Sequence, residues 1–282
     1  MRSWRRVGIL MIDWIYSTPI WGWGTVIVVI TTLVSCCGLL LFQRIVPEPA
    51  RRVENDVVAG TMAIVGVAYA VLIAFIAVAT WQAFTDADKT TDVEASHIAN
   101  LYRDVEGLPA AIADPIRELV ESYVNKVITV EWPEQRRGNV SRAGRPDIEK
   151  IHTLIVSFVP ENAREQVIQG EFLRVLNELY SARRTRQLAA QNAIPGVVWG
   201  IIILGSLGTI IYSYLFVVEN RMLHVVMTGM VASSMALVIV LVIALDRPFR
   251  GDLSISTDAY ENAFASVGLG ADAKAGVTRS LR

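Results

Sequence analysis

The chain has 282 residues, a formal net charge of -1 and 53% hydrophobic residues. A near-neutral balance gives no electrostatic footprint for nucleic acid or for an acidic substrate. The hydrophobic share, with a mean hydropathy of +0.42, exceeds that of ordinary soluble domains and points to the membrane.

At the N-terminus, Arg2, Arg5 and Arg6 precede the apolar stretch Val7–Ile12, which Asp13 interrupts before any small-residue cleavage site. That pattern fits an interfacial segment over residues 1–20 better than a signal peptide, with Trp4, Trp14, Trp21 and Trp23 at headgroup depth. Four apolar runs follow, at Trp21–Gln43, Gly60–Trp81, Pro195–Val218 and Met222–Leu245, none with a carboxylate, lysine or arginine inside it. Each is long enough to cross about 30 Å of hydrocarbon as a helix, the form in which lipid-exposed backbone is satisfied internally. The expected fold is an all-α, polytopic membrane protein with four transmembrane helices. Its organisation reads as transmembrane helices 1 and 2 in 21–81, a helical cytoplasmic insertion in 82–192, helices 3 and 4 in 193–245, and a partly disordered C-terminal tail in 246–282. The adjacent Cys36 and Cys37 fall within the first span; thiols there behave as small apolar groups, and two neighbours make a strained disulfide.

The insertion has helical periodicity. Ile98, Leu101, Tyr102 and Val105 recur at three- and four-residue steps, as do Ile116, Leu119, Val120, Tyr123, Val124 and Val127. Ile148, Ile151, Ile155 and Phe158 follow, then Val167, Ile168, Val175, Leu176 and Leu179. Pro115 and Pro146 suit first turns of helices, Gly107-Leu108-Pro109 and Trp132-Pro133 suit breaks, and the basic stretch from Arg136 to Arg145 suits a mobile loop. The second span is expected to continue as a helix beyond Asp86, and a helix around Glu161 to Asn192 to lead into the third span. An even number of spans puts both termini and the insertion on one side. That side holds Arg2, Arg5, Arg6, Lys89, Arg183, Arg184, Arg186, Arg247 and Arg250 near the membrane, against Arg44, Arg51, Arg52 and Arg221 on the other. The excess predicts cytoplasmic N- and C-termini.

Candidate chemistry is sparse. Glu94 and His97, three apart on one helix, form half of a di-iron motif with no second copy, so a solvated helix face is the simpler expectation. No nucleophile elbow or phosphate loop is present. Asn55, Asp56 and Arg221 at one membrane face read as cap and interface residues. No enzyme, cofactor or metal is expected. In the second span, Ala63, Gly66, Ala70, Ala74 and Ala77 make a small-residue stripe of the kind that lets helices approach closely. Ile64, Val67, Val71, Phe75 and Val78 make a bulky one. It faces either lipid and neighbouring helices or a narrow apolar pore able to gate by dewetting. Gly196, Gly200, Gly205 and Gly208 in the third span, and Gly229, Ala232, Ser233 and Ala236 in the fourth, read as packing signals. With no charge at mid-membrane, passive conduction or no transport is favoured over a pump.

Two segments carry a family resemblance. One runs from Asn55-Asp56-Val57-Val58-Ala59-Gly60 through Gly66, Tyr69 and Phe75 to Trp81, Glu94-Ala95 and Leu101-Tyr102-Arg103. The other is Asp246-Arg247-Pro248-Phe249-Arg250-Gly251. With Arg183-Arg184-Thr185-Arg186 ahead of Pro195, they resemble the bacterial bestrophin-like membrane proteins, and more distantly the bestrophin anion channels. The resemblance implies a homo-oligomer (a pentamer in bestrophins) in the bacterial inner membrane, with a hydrophobic neck lined by the second span and a small permeating anion such as chloride. It does not extend to a calcium site. Arg250 separates Phe249 from Gly251, and only Asp252 follows where bestrophins carry an acidic run. The expected function is an oligomeric ion channel conducting anions, with Val71, Phe75 and Val78 at the constriction, Ile64 and Val67 nearer the outer mouth, and arginines of the cytoplasmic helices attracting anions. The alternative is a non-conducting membrane scaffold or signalling protein whose cytoplasmic helices bind a partner.

Overall fold

A computed structural model of the chain describes residues 16, 18–46 and 55–267. These are helical and without strands, as an all-α polytopic membrane protein requires. The expected interfacial segment and the last dozen residues lie outside the described residues, apart from a few residues before Ile20. In chain order the elements are α1 (Ile20–Ile45), α2 (Asn55–Asp104), a 3-10 turn (Val105–Gly107), α3 (Ala110–Lys126), a π-helical segment (Val127–Glu131) and α4 (Trp132–Arg136). They continue with α5 (Arg145–Ser157), α6 (Ala163–Gln191), α7 (Gly196–Ser213), α8 (Arg221–Leu245) and α9 (Asp258–Ser266). Helices α1, α2, α7 and α8 are long and apolar enough to cross a membrane.

Helix starts follow local chemistry. Pro19, Pro109 and Pro195 cap α1, α3 and α7 in extended geometry. Asn162 Oδ1 accepts from the Glu165 N–H at 2.9 Å, and the Glu165 carboxylate accepts from the Glu161 N–H at 2.8 Å. The first bond satisfies a donor that α6 leaves open, and the second ties the residue before the cap to the same turn. Asn220 does the same for α8, accepting from the N–H groups of Met222 and Leu223.

The contacts divide the chain into two compact units. The membrane unit holds α1, α2 as far as Phe84, α7 and α8. Its core is two small clusters: Leu39, Ile210, Tyr214 and Ala232 in one, and Tyr69, Ile73, Ile202 and Val242 in the other. Most of its large apolar side chains face outward, which lipid permits because it is as apolar as they are. Close approach instead depends on small residues. A Cβ at Gly205 would fall on the Tyr69 ring, and one at Gly38 would lie 2.8 Å from the Tyr214 hydroxyl. The Gly196, Gly200 and Gly208 positions have nothing within 4 Å, so that part of the third-span pattern packs nothing among the described residues.

The polar unit holds α2 from Thr85 onward, α3 to α6, Pro248–Arg250 and α9. Its seam is the expected one in α2, α3 and α5: Ile98, Leu101, Val105, Ile116, Val120, Tyr123, Val127, Ile148, Ile151 and Ile155 are buried. In α6, Val175, Leu176 and Leu179 are buried, whereas Val167 is exposed and its neighbour Ile168 is the residue that meets Gly107.

Several expectations are corrected. The third span ends at Ser213 rather than Val218. There the chain turns at Tyr214, and the Asn55 side chain bonds both the Val217 C=O and N–H, which holds the connection out of the helix. Trp132-Pro133 is not a break. The helix widens into a π turn, with the Trp132 N–H bonding Val127 O, so Pro133 enters without costing the ladder a turn. Pro115 lies inside α3, a turn later than expected, on its exposed side, whereas Pro146 is in the first turn of α5. The basic stretch after Arg136 is tied down: the Asn139 side chain bonds Glu134, and the Gly144 N–H bonds Glu131. Helix α6 stops at Gln191, and four residues separate it from α7 because Pro195 starts a new helix. The tail contains α9, whose Tyr260 and Phe264 are buried. Helix α2 does continue past Asp86, as one element of 50 residues.

Candidate functional site

Two constellations stand out, one in each unit. In the membrane unit, α2 buries a narrow stripe. Tyr69, Ile73 and Thr80 are covered and Ile76 is partly covered, all within about 60° of helix circumference at 100° per residue. The anchor is Tyr69, whose hydroxyl lies 2.7 Å from both Ile202 O and Ser206 Oγ on α7. A hydroxyl between two oxygens there satisfies polar groups that lipid cannot. Ile64, Val67, Val71, Phe75 and Val78 fall on the opposite side, centred about 180° away, and are 74%, 64%, 50%, 70% and 53% exposed. The small-residue stripe lies between, with Ala63, Ala70 and Ala74 exposed and no atom within 4 Å of a Cβ at Gly66. Among the described residues the bulky stripe is uncovered, and the small-residue stripe is covered only in part, at Gly66 and Ala77.

A second polar junction ties α1, α7 and α8 together. The buried His224 ring has Nε2 3.0 Å from Ser213 O and Nδ1 3.0 Å from Gln43 Nε2. A carbonyl only accepts, so Nε2 carries the proton and Nδ1 accepts from Gln43. Reading the three histidines as scattered residues did not reveal this bridge.

The polar unit holds a buried charge network that overturns the expectation for Glu94. Glu94 is fully buried, not solvated. Its carboxylate accepts from Arg186 Nε at 2.6 Å and Nη2 at 3.2 Å, and from the Tyr123 hydroxyl at 2.5 Å. Arg186 Nη2 also donates to Glu131 at 3.0 Å, and Glu131 accepts from Arg183 Nη2 at 2.5 Å and the Gly144 N–H at 2.9 Å. Arg183 Nη1 donates to the Tyr123 oxygen at 3.0 Å. Two carboxylates and two guanidiniums balance formally, and the network joins α2, α3, the π segment and α6. The π turn matters to it. By shifting the helical phase just before α4, it buries Glu131 beside Trp132, over whose ring the Arg186 guanidinium lies at 5.5 Å. Phe249 and Tyr260 meet the same Trp132 ring edge-on at 5.4 and 5.6 Å.

Burial pushes the Tyr123 and Tyr260 hydroxyls well above the ordinary tyrosine range, and the Glu94 charge adds to this. At Arg186 burial works the other way, but Glu94 outweighs it and holds the guanidinium well above the usual range. The pairing also corrects the role expected of these arginines. Arg183 and Arg186 are buried and neutralised, so their charge is spent inside the unit rather than on an external anion. His97, three residues from Glu94, instead faces Glu178 at 3.5 Å. No group of three metal-ligating side chains occurs among the described residues.

The motif residues have structural roles in their own units. Asn55 holds Val217, and the Asp246 carboxylate accepts from the Ile194 N–H at 2.6 Å. Gly60 is exposed, with nothing near its would-be Cβ. Arg247 is half-buried, and Pro248 and Phe249 are buried. The Pro248 carbonyl accepts from the Ile255 N–H at 2.9 Å. Gly251 has φ of +83°, a left-handed conformation that favours glycine.

Four membrane-length apolar helices and a charge-paired helical unit define an integral membrane protein of the polytopic α class. A family model described as the Bestrophin-like domain matches residues 29–260, and the chain belongs to the bestrophin-like family. No curated protein and no solved structure matches it.

Proposed function

We propose that this protein is an oligomeric membrane ion channel that conducts small anions such as chloride, with α2 of each copy facing a shared pore. The observation that carries the reading is the α2 face formed by Ile64, Val67, Val71, Phe75 and Val78. It is apolar, free of charge, and turned away from the α2 stripe of Tyr69, Ile73 and Thr80 that its own chain covers among the described residues. Copies arranged around an axis would bring these faces together as a hydrophobic neck, which opens and closes by wetting. The exposed small-residue stripe on the adjoining α2 face supports close contact between copies. Membership of the bestrophin-like family supports both assembly, as a pentamer, and conduction. The protein would sit in the bacterial inner membrane with both termini cytoplasmic. Its role is transport rather than catalysis, and it uses no cofactor.

The test is chloride flux into liposomes containing the purified protein, alongside Phe75→Ala. Removing the largest neck side chain raises flux. A conducting protein whose flux is unchanged by Phe75→Ala places the neck elsewhere. A correctly inserted protein with no flux in either form replaces the channel reading with a scaffold whose polar unit binds a partner.

A further inference from the structure

We infer that the connection between α4 and α5, together with the end of α6, forms a docking surface for the headgroups of anionic phospholipids. Arg136, Arg137, Arg142 and Arg145 all lie in or at the ends of this connection and are exposed. Arg137 is paired with Glu134 at 2.8 Å and Arg145 with Glu149 at 2.7 Å. Arg136, Arg142 and the exposed Arg184 of α6 have no carboxylate within 4.0 Å among the described residues. Ser141 O lies 3.4 Å from Gln187 Nε2, and Gln187 is one turn from Arg184. Loop and helix, joined through Ser141 and Gln187, therefore carry three exposed, uncompensated guanidiniums.

Chain length limits how far this surface can lie from the ends of α7 and α8. A Cβ at Gly138 would lie 2.9 Å from Arg250 Nη1, and Arg250 is five residues beyond Leu245, the end of α8. Five residues reach at most about 18 Å. Gln187 precedes the first residue of α7 by four helical residues and a short connection, at most about 24 Å in all. Guanidiniums suit phosphate through paired N–H donors. Three of them spread over an exposed loop and a helix fit a field of headgroup phosphates better than one free anion, which needs convergent donors.

The experiment is native mass spectrometry of the full-length protein in detergent, titrated with dimyristoyl phosphatidylglycerol or dimyristoyl phosphatidylcholine. It reads lipid binding directly, so its result is separate from whether the protein conducts. The expected preference for phosphatidylglycerol is roughly tenfold or more, falling to about twofold when Arg136, Arg142 and Arg184 are all changed to Gln. The triple change to Lys keeps most of the preference, which separates charge from any folding defect in the Gln variant. Equal binding of the two lipids overturns the proposal, as does a preference that survives the Gln changes. So does loss of the preference in millimolar inorganic phosphate, which marks a site for free anions instead.

Discussion

Arg186 is the side chain on which the polar unit depends most. It is fully buried and touches both carboxylates of the network. Arg186→Ala strands Glu94 and takes one of the partners of Glu131, and uncompensated buried charge costs about 3–5 kcal/mol. Replacing the ion pair with apolar side chains leaves no such charge, so the double change Glu94→Leu with Arg186→Leu is expected to destabilise less than Arg186→Ala. Denaturant unfolding of the three proteins in the same detergent checks this; a double variant as unstable as the single one would show that the charges themselves hold the fold. These partners left a trace in the sequence. The α6 period that runs through Phe172, Val175, Leu176 and Leu179 continues to Ala182, Arg183 and Arg186, so both arginines stood at core positions. Glu94 likewise falls between the buried Thr91 and Ile98. Polarity led Glu94 to be placed on the surface, where its position in the period placed it inside. Glu131 could not be found this way, because the π turn breaks the period that would have located it.

Among the elements of the membrane unit, α1 and α2 have the least cover from their own chain. Tyr69 anchors α2 by fitting its ring against Gly205 on α7. Gly205→Ala would put a Cβ where the ring now lies and force the two helices apart, while the equivalent change at Gly200, which has open space around it, is expected to be silent. Thermal unfolding in detergent should separate the two, with a fall in midpoint for Gly205→Ala alone; equal behaviour would mean that Tyr69 does not set this contact. Both glycines belonged to the same small-residue reading of the third span, and composition alone could not say which of them meets a neighbour. The extent of α2 was easier to read, since its apolar period passes without a proline or glycine into Ala87, Ala95 and Ile98. At Trp132-Pro133 proline suggests a break, as it usually marks one, whereas the chain absorbs it by widening the turn before it.

At the scale of the whole molecule, four charge-free runs of membrane length were enough to establish an all-α polytopic protein, since lipid leaves few other backbone solutions. Helix α9 was hidden by its brevity; Tyr260 and Phe264 are too few to show a period. If assembly uses the open small-residue face of α2, Ala70→Trp should convert the purified oligomer into smaller species while leaving helix content unchanged. Light scattering of the protein–detergent complex with circular dichroism tests this, and an unaltered oligomer would assign assembly to another face.

The order of pairing in the membrane unit also bears on how the protein is made. Helix α1 packs chiefly on α8, and α2 on α7 and α8. The first two spans therefore leave the ribosome well before their partners, with the Thr85–Asn192 part of the polar unit synthesised in between. At about 5–20 residues per second, α1 waits on the order of 10 to 35 seconds for α8. During that interval its contact positions at Gly24 and Leu39, with Tyr69 on α2, have only lipid or the insertion machinery beside them. Biogenesis of this chain thus includes a period in which its early spans lack their partners, and a factor that shelters them would act then.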